Sequence, residues 1–306
     1  PPAEDAPTIL ALPSLLNPAH ILDLSRARSL LRGLARRGAR PFLLDWGDPG
    51  IEERRFTLGD YVSRRVEPAL AALGARTGGG PIALMGHCLA GGLAAAAASR
   101  RPDLVSALVL LAAPWDFRAL AAAGGPAADP HARATLERLI EACGAVFGGV
   151  PPDVLNTLFF LRDPLQAMRK FPGFARARRD SPRGRLFVAV EDWLNDGMRL
   201  AAPAARELLI GWLLENALMK GAWRVEGRPA TAAQAPQPTL IIASGADTVT
   251  PERAALAAKG FAPRADALRP SGGHVGMLIG RRAEAETWDP LAAWLKAHAG
   301  RAAAAA

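Results

Sequence analysis

Along the first third of the chain, short continuous apolar runs alternate with longer stretches whose apolar residues return every three or four positions. TILALP (Thr8–Pro13), RPFLLDW (Arg40–Trp46), PIALMG (Pro81–Gly86) and LVSALVLLAAP (Leu104–Pro114) read as strands. Between them, SRARSLLRGLARRG (Ser25–Gly38) reads as a helix with a serine cap and a glycine stop, and TLGDYVSRRVEPALAAL (Thr57–Leu73) as a second helix. Strands without a polar face, alternating with helices, predict a parallel sheet covered on both sides.

From about Asp116 to Ala235 that rhythm is lost. LERLIEACGAVFGG, PPDVLNTLFF, LFVAVEDWLNDG and ARELLIGWLLENALMKG are helix-like or aromatic, separated by loops rich in Pro and Gly. Alternation resumes at PTLIIASG (Pro238–Gly245) and closes with WDPLAAWLKAHAG. The expected organisation is an α/β core over residues 1–115 and 236–300, a helical cap inserted at 116–235, and a frayed tail, RAAAAA, at 301–306.

Composition narrows the picture without redirecting it. At 306 residues, half of them apolar and 22% charged, the chain has the balance of a soluble globular protein. No apolar run approaches the roughly 20 residues of a membrane helix, and no signal-peptide pattern opens the chain. Two cysteines make no disulfide framework, so the expected setting is a reducing cytoplasm. The start at Pro1-Pro2, without Met, reads as a trimmed domain. The formal charge of +8 comes from scattered arginines, with no long basic tract and no aromatic-plus-basic stripe. Charge of that kind suits an anionic small-molecule substrate better than nucleic acid, which is not expected as a partner.

The candidate chemistry lies in ALMGHCLAGGLAAAAA (Ala83–Ala98). Cys88 follows a strand and precedes a helix that starts with small residues, which is the setting of a nucleophile elbow, G-x-S-x-G, with cysteine in place of serine. The second glycine of that box is Ala90, so the elbow is expected to form under some strain. Taken alone, the box favours the elbow over a small buried cysteine by only a modest margin. The rest of the chain decides, because an α/β hydrolase supplies its acid after a late strand and its histidine near the C-terminus. Asp247 stands just beyond a strand in IIASGADTVTP, and His274 stands in the Gly-rich loop of LRPSGGHVGM. Cys88, Asp247 and His274 therefore form the expected triad. His87, flanking the elbow, is expected to point away and serve packing or a hydrogen bond; His20 reads as surface or structural, His131 and His298 as solvated, and Cys143 as core. No spacing suggests a metal, and no phosphate-binding glycine loop is present.

These motifs resemble those of the polyhydroxyalkanoate synthases, and among them the short class III catalytic subunits. NPAHILDLSRARSLLRGLARRG with LLDWGDPG, the GHCLAGG box, LVLLAAPWDF, VEDWLNDG, GADTVTP and GGHVGM follow the family's order at similar spacing, over nearly the whole chain. Two features depart from it: Ala90 stands for a family glycine, and the family's N-terminal segment is absent.

The resemblance implies an α/β-hydrolase fold with a mostly parallel central sheet, helices on both faces and a helical cap. It also implies an acyltransferase that polymerises 3-hydroxyacyl-CoA into a polyester through an acyl-cysteine. Cys88 would attack the thioester, and His274 would take its proton. Asp247 would orient His274 or, as the family implies, help activate the substrate 3-hydroxyl. The backbone N–H groups of Leu89 and Leu16 would hold the oxyanion. No cofactor is expected, coenzyme A being part of the substrate. The expected partners are 3-hydroxyacyl-CoA, the polyester chain, and a second copy or a synthase partner subunit, at polymer granules in the cytoplasm. Two other readings stand beside this one: a cysteine hydrolase (thioesterase or polyester depolymerase) with the same triad, and a catalytically silent granule-binding or partner subunit.

Overall fold

A computed structural model describes residues 6–120, 130–160, 171–172, 174, 180–231 and 235–299. The tail expected at 301–306 lies outside them. The apolar runs form strands β1 (Thr8–Leu12), β2 (Arg40–Leu43), β3 (Ile82–His87) and β4 (Val105–Leu111), and later β7 (Thr239–Ile242) and β8 (Asp266–Leu268). These six pair in the order β2-β1-β3-β4-β7-β8, every pair parallel. Strands β1, β3, β4 and β7 are buried along their whole length, as continuous apolar runs require.

Side-chain alternation divides the core in two. Ile82 and Leu84 of β3 face one layer with Leu108 and Leu110 of β4, while Ala83 and Met85 face the other with Ala107 and Val109. The first layer is completed by Leu70 of α3 (Glu67–Arg76) and Leu93 of α4 (Ala90–Arg100). The second is completed by Leu30 and Leu34 of α1 (Leu30–Arg36) and by Leu291 and Leu295 of the last helix, Asp289–His298.

Two helices differ from expectation. The first begins at Leu30, not near Ser25. Ser25 and Arg28 exchange backbone hydrogen bonds in a closed turn, and it is the Ser29 hydroxyl that accepts from the Arg32 amide at 2.9 Å as the N-cap. The helix still stops at Gly38, whose φ of 91° favours glycine. The second starts at Thr57, in a capping box with Asp60, as α2 (Leu58–Tyr61) and reaches α3 through a π-helical turn, Val62–Val66. Pro68 has no N–H to continue the α pattern, and the widened turn comes just before it. The same arrangement recurs at Glu284–Trp288 ahead of Pro290.

The stretch between β4 and β7 contains two kinds of structure. Helices α5 (Pro130–Phe147), α6 (Pro152–Phe160) and α7 (Pro182–Asn195) bury few of their described side chains: Ile140 and Cys143, Leu155, and Gly184 with Trp193. By contrast α8 (Ala202–Arg206) and the π-helical Glu207–Leu214 that continues it are deeply buried. Trp212 lies on α4 so closely that a Cβ at Gly92 would stand 2.5 Å from its ring. A short hairpin, β5 (Arg224–Val225) and β6 (Arg228–Pro229), precedes β7. No described helix is long and apolar enough to cross a membrane.

Candidate active site

The site begins with a backbone constraint. Strand β3 ends at His87 and α4 begins at Ala90, so the chain must reverse within two residues. Cys88 takes the reversal in the left-handed region, φ 54°, with its amide donating to Leu111 O at 2.9 Å. For a residue with a Cβ this torsion is strained, and a strained residue held between strand and helix is the signature of an elbow. The strain falls on Cys88. Ala90 is fully buried at the first position of α4. Glycine is needed instead at Gly86, where a Cβ would stand 2.5 Å from Ala90 O, and at Gly91, where it would stand 2.2 Å from the Ala113 Cβ.

Asp247 lies five residues beyond β7 and is buried, its side chain fully so. Its Oδ1 accepts from the amides of Val249 and Thr250, both at 2.8 Å, which leaves Oδ2 for another partner. That partner is His274 Nδ1, at 2.7 Å. The histidine comes from the loop after β8, where Gly272 and Gly273 let the chain pass close to Gly276 and to Ala246 O. The remaining ring nitrogen, Nε2, is left unused by Asp247, and Cys88 is near enough to act on the ring. Burial alone would discourage charge on this ring. The charge and hydrogen bond of Cys88 and those of Asp247 outweigh it and raise the His274 pKa from 6.5 to about 10. The arrangement thus favours an imidazolium at His274. It brings together all three side chains named from the sequence.

The backbone donors are placed less uniformly. Leu89 is the residue before α4, where helix-terminal amides have no partner within the helix. Leu16 follows β1, the neighbour of β3, and its amide lies 3.5 Å from Ser14 Oγ, a long contact. Its carbonyl accepts from Met198 N at 2.9 Å. The same loop is tied to α7, because Trp193 Nε1 donates to Pro18 O at 2.8 Å.

Several contributors were not foreseen. The Asx-type turn that anchors Asp247 was present in GADTVTP as an Asp followed two and three residues later by free amides. His87 points to the opposite sheet face from Gly86, yet its ring lies 5.4 Å from that of His274. It is 1% exposed and neither ring nitrogen has a hydrogen-bond partner among the described residues, so of the packing or hydrogen bond expected for it, the described contact is packing. His20 is exposed, His298 stacks on Trp294, and Cys143 is buried in α5. Among the described residues no three His, Cys, Asp or Glu side chains cluster as a metal site would require.

Comparison with known proteins places this geometry. The model of the alpha/beta hydrolase fold family matches residues 7–280. The chain belongs to that family. It is also similar to curated proteins named poly(3-hydroxyalkanoate) polymerase subunit PhaC. It is 27% identical to that of Haloarcula marismortui over 95% of this chain and 61% of the relative. The figures are 25% over 96% and 82% for Allochromatium vinosum, and 28% over 94% and 77% for Synechocystis. These matches bear out the synthase resemblance. The chain spans about three fifths of the length of the Haloarcula relative. Among solved structures it resembles a Paleococcus ferrophilus monoacylglycerol lipase (TM-score 0.55, 16% identity, 96% of each chain). It also resembles a Thermogutta terrifontis esterase (TM-score 0.57, 15% identity, 95% of this chain and 91% of that one). At such identities the two structures speak for the fold alone.

Proposed function

We propose that the chain is the catalytic part of a polyhydroxyalkanoate synthase, an acyltransferase that joins 3-hydroxyacyl units through an acyl-cysteine at Cys88. The observation that carries this reading is a cysteine at the strained elbow beside a histidine held by Asp247, in a chain similar over almost its whole length to polymerase subunits. His274 Nε2 takes the thiol proton, and the thiolate sulfur attacks the thioester carbonyl. The Leu89 amide, and Leu16 if its amide turns from Ser14, hold the oxyanion. On collapse the bond to the coenzyme A sulfur breaks, and His274 returns the proton to that leaving group. One thioester replaces another at little energetic cost.

In the second half the 3-hydroxyl of another unit gives its proton to His274 and its oxygen attacks the acyl-cysteine. An ester C–O bond forms, the C–S bond breaks, and Cys88 recovers the proton. Asp247, fixed by two backbone amides, holds the His274 ring and offsets its charge. The helices α5–α7 serve as a cap that keeps water from the acyl-enzyme, since water would end the chain as free acid. Coenzyme A enters only with the substrate, and a second copy or a partner subunit completes the working enzyme at the polymer surface.

The test is incubation with 3-hydroxybutyryl-CoA, following released coenzyme A and the acyl product together. Insoluble polyester is expected. Soluble 3-hydroxybutyrate in proportion to coenzyme A, with and without candidate partner subunits, would leave a cysteine hydrolase. No release at all would leave a silent subunit.

A further inference from the structure

We propose that His87 is a positioning residue for His274, a neutral imidazole packed against it that fixes its ring plane and supports its positive charge. This rests on the Cys88–His274 pair proposed above. His87 is the last residue of β3, immediately before Cys88, and β3 is held between β1 and β4. Its place is therefore set by the most constrained part of the sheet. The two ring centroids are 5.4 Å apart and the planes differ by 37°. Asp247 holds His274 by one atom, Nδ1, and a single hydrogen bond leaves the ring free to tilt about it. A flat neighbour removes that freedom and keeps Nε2 directed at Cys88.

Packing alone would be served by an apolar ring. His87 is 1% exposed, and neither nitrogen is hydrogen-bonded among the described residues, so it carries the desolvation cost of a polar group without the usual compensation. Burial, and the charge of His274 beside it, hold its pKa down at about 3, so it remains neutral wherever the enzyme works. A neutral imidazole offers a lone pair and a dipole to an adjacent imidazolium, where phenylalanine offers neither. The other groups that act on His274 are Cys88 from the elbow and Asp247 from the loop after β7. On His87, burial acts first and the charge of His274 second. The pair is thus a local device for holding the His274 ring, and its charge, in place beside Cys88.

The test is the rate of Cys88 alkylation by iodoacetamide as a function of pH, in a Cys143→Ala background so that one thiol reports. His87→Phe keeps a ring and loses the nitrogens. The midpoint of its low-pH limb is expected to rise by about half a pH unit, a threefold loss of rate on that limb. His87→Gln, which restores a dipole without the ring, is expected to return the midpoint towards the parent value while turnover stays low. Should His87→Phe fail to fold by circular dichroism, His87→Leu takes its place with the same expected shift. A folded His87→Phe (or Leu) whose profile superimposes on the parent's overturns the proposal. A control separates the two readings: His274→Gln should abolish the low-pH limb. If that limb survives, the Cys88–His274 pair fails and the role of His87 fails with it.

Discussion

Cys88 and Cys143 sit among small residues, and their surroundings differ in one decisive respect. Cys143 is in the regular turns of α5, 5% exposed, with Gly144 beside it. Cys88 is at the β3–α4 turn, partly accessible, with its backbone forced to φ 54° and His274 near enough to act on it. Burial alone does not make a nucleophile, and neighbouring composition barely distinguishes the two. The backbone does. A thiol becomes a candidate nucleophile where the chain lifts it out of regular structure and delivers a base to it, and α5 does neither.

The sharpest way to break this contrast is to remove each sulfur in turn. Cys88→Ala is expected to abolish turnover of 3-hydroxybutyryl-CoA, while Cys143→Ala keeps most of it. The opposite result, read from coenzyme A release, would move the site to α5. Next in size, His274→Gln should slow alkylation of Cys88 near neutral pH by tenfold or more, because the imidazolium that favours the thiolate is gone.

The helical stretch allows the same contrast in stability. Trp212, 1% exposed and seated on Gly92, behaves as core. Trp212→Ala should cost about 3–5 kcal/mol in denaturant unfolding. Val146, 72% exposed at the end of α5, should tolerate serine within about 0.5 kcal/mol. Equal losses would mean that α5 and the Glu207–Leu214 segment do not differ as described.

A smaller effect follows from the raised pKa of His274. Below about pH 6.5 the ring is protonated both folded and unfolded, and its favourable partners contribute in full. As pH rises towards about 10 the folded protein must give up that proton and the contribution disappears. The stability advantage of the parent over His274→Gln should therefore shrink between pH 6.5 and 10. Thermal midpoints measured across that range check it, and a constant difference would contradict the assignment of charge.

What the sequence made legible was whatever depends on near neighbours. Strands β1, β3, β4 and β7 are read directly because residues buried on both faces leave continuous apolar runs. Cys88, Asp247 and His274 are read from order alone, since each follows a strand in a fixed succession. Other features depend on distant partners. Gly92 reads as one more small residue until Trp212, 120 positions away, is laid on it. His87 reads from the sequence as packing or a hydrogen bond directed away from the elbow, and its contact with the His274 ring exists only after β8 joins the sheet. The start of α1 was misjudged for a local reason: Ser25 and Ser29 are both competent caps, and the closed Ser25–Arg28 turn decides between them.

The strand order also carries a consequence for biogenesis. β4 pairs with β7 across about 130 residues of intervening chain, and β8 follows later still. On a ribosome adding about 5–20 residues per second, roughly 6–26 s separate the two strands. For that interval β1–β4 can assemble with an open edge at β4, the kind of edge that recruits strands from other molecules. Cys88 is made before that interval begins, while Asp247 and His274 are not yet made. Any assembly of β1–β4 during it therefore has both an open edge and an elbow without its histidine, and both conditions end when the C-terminal strands arrive.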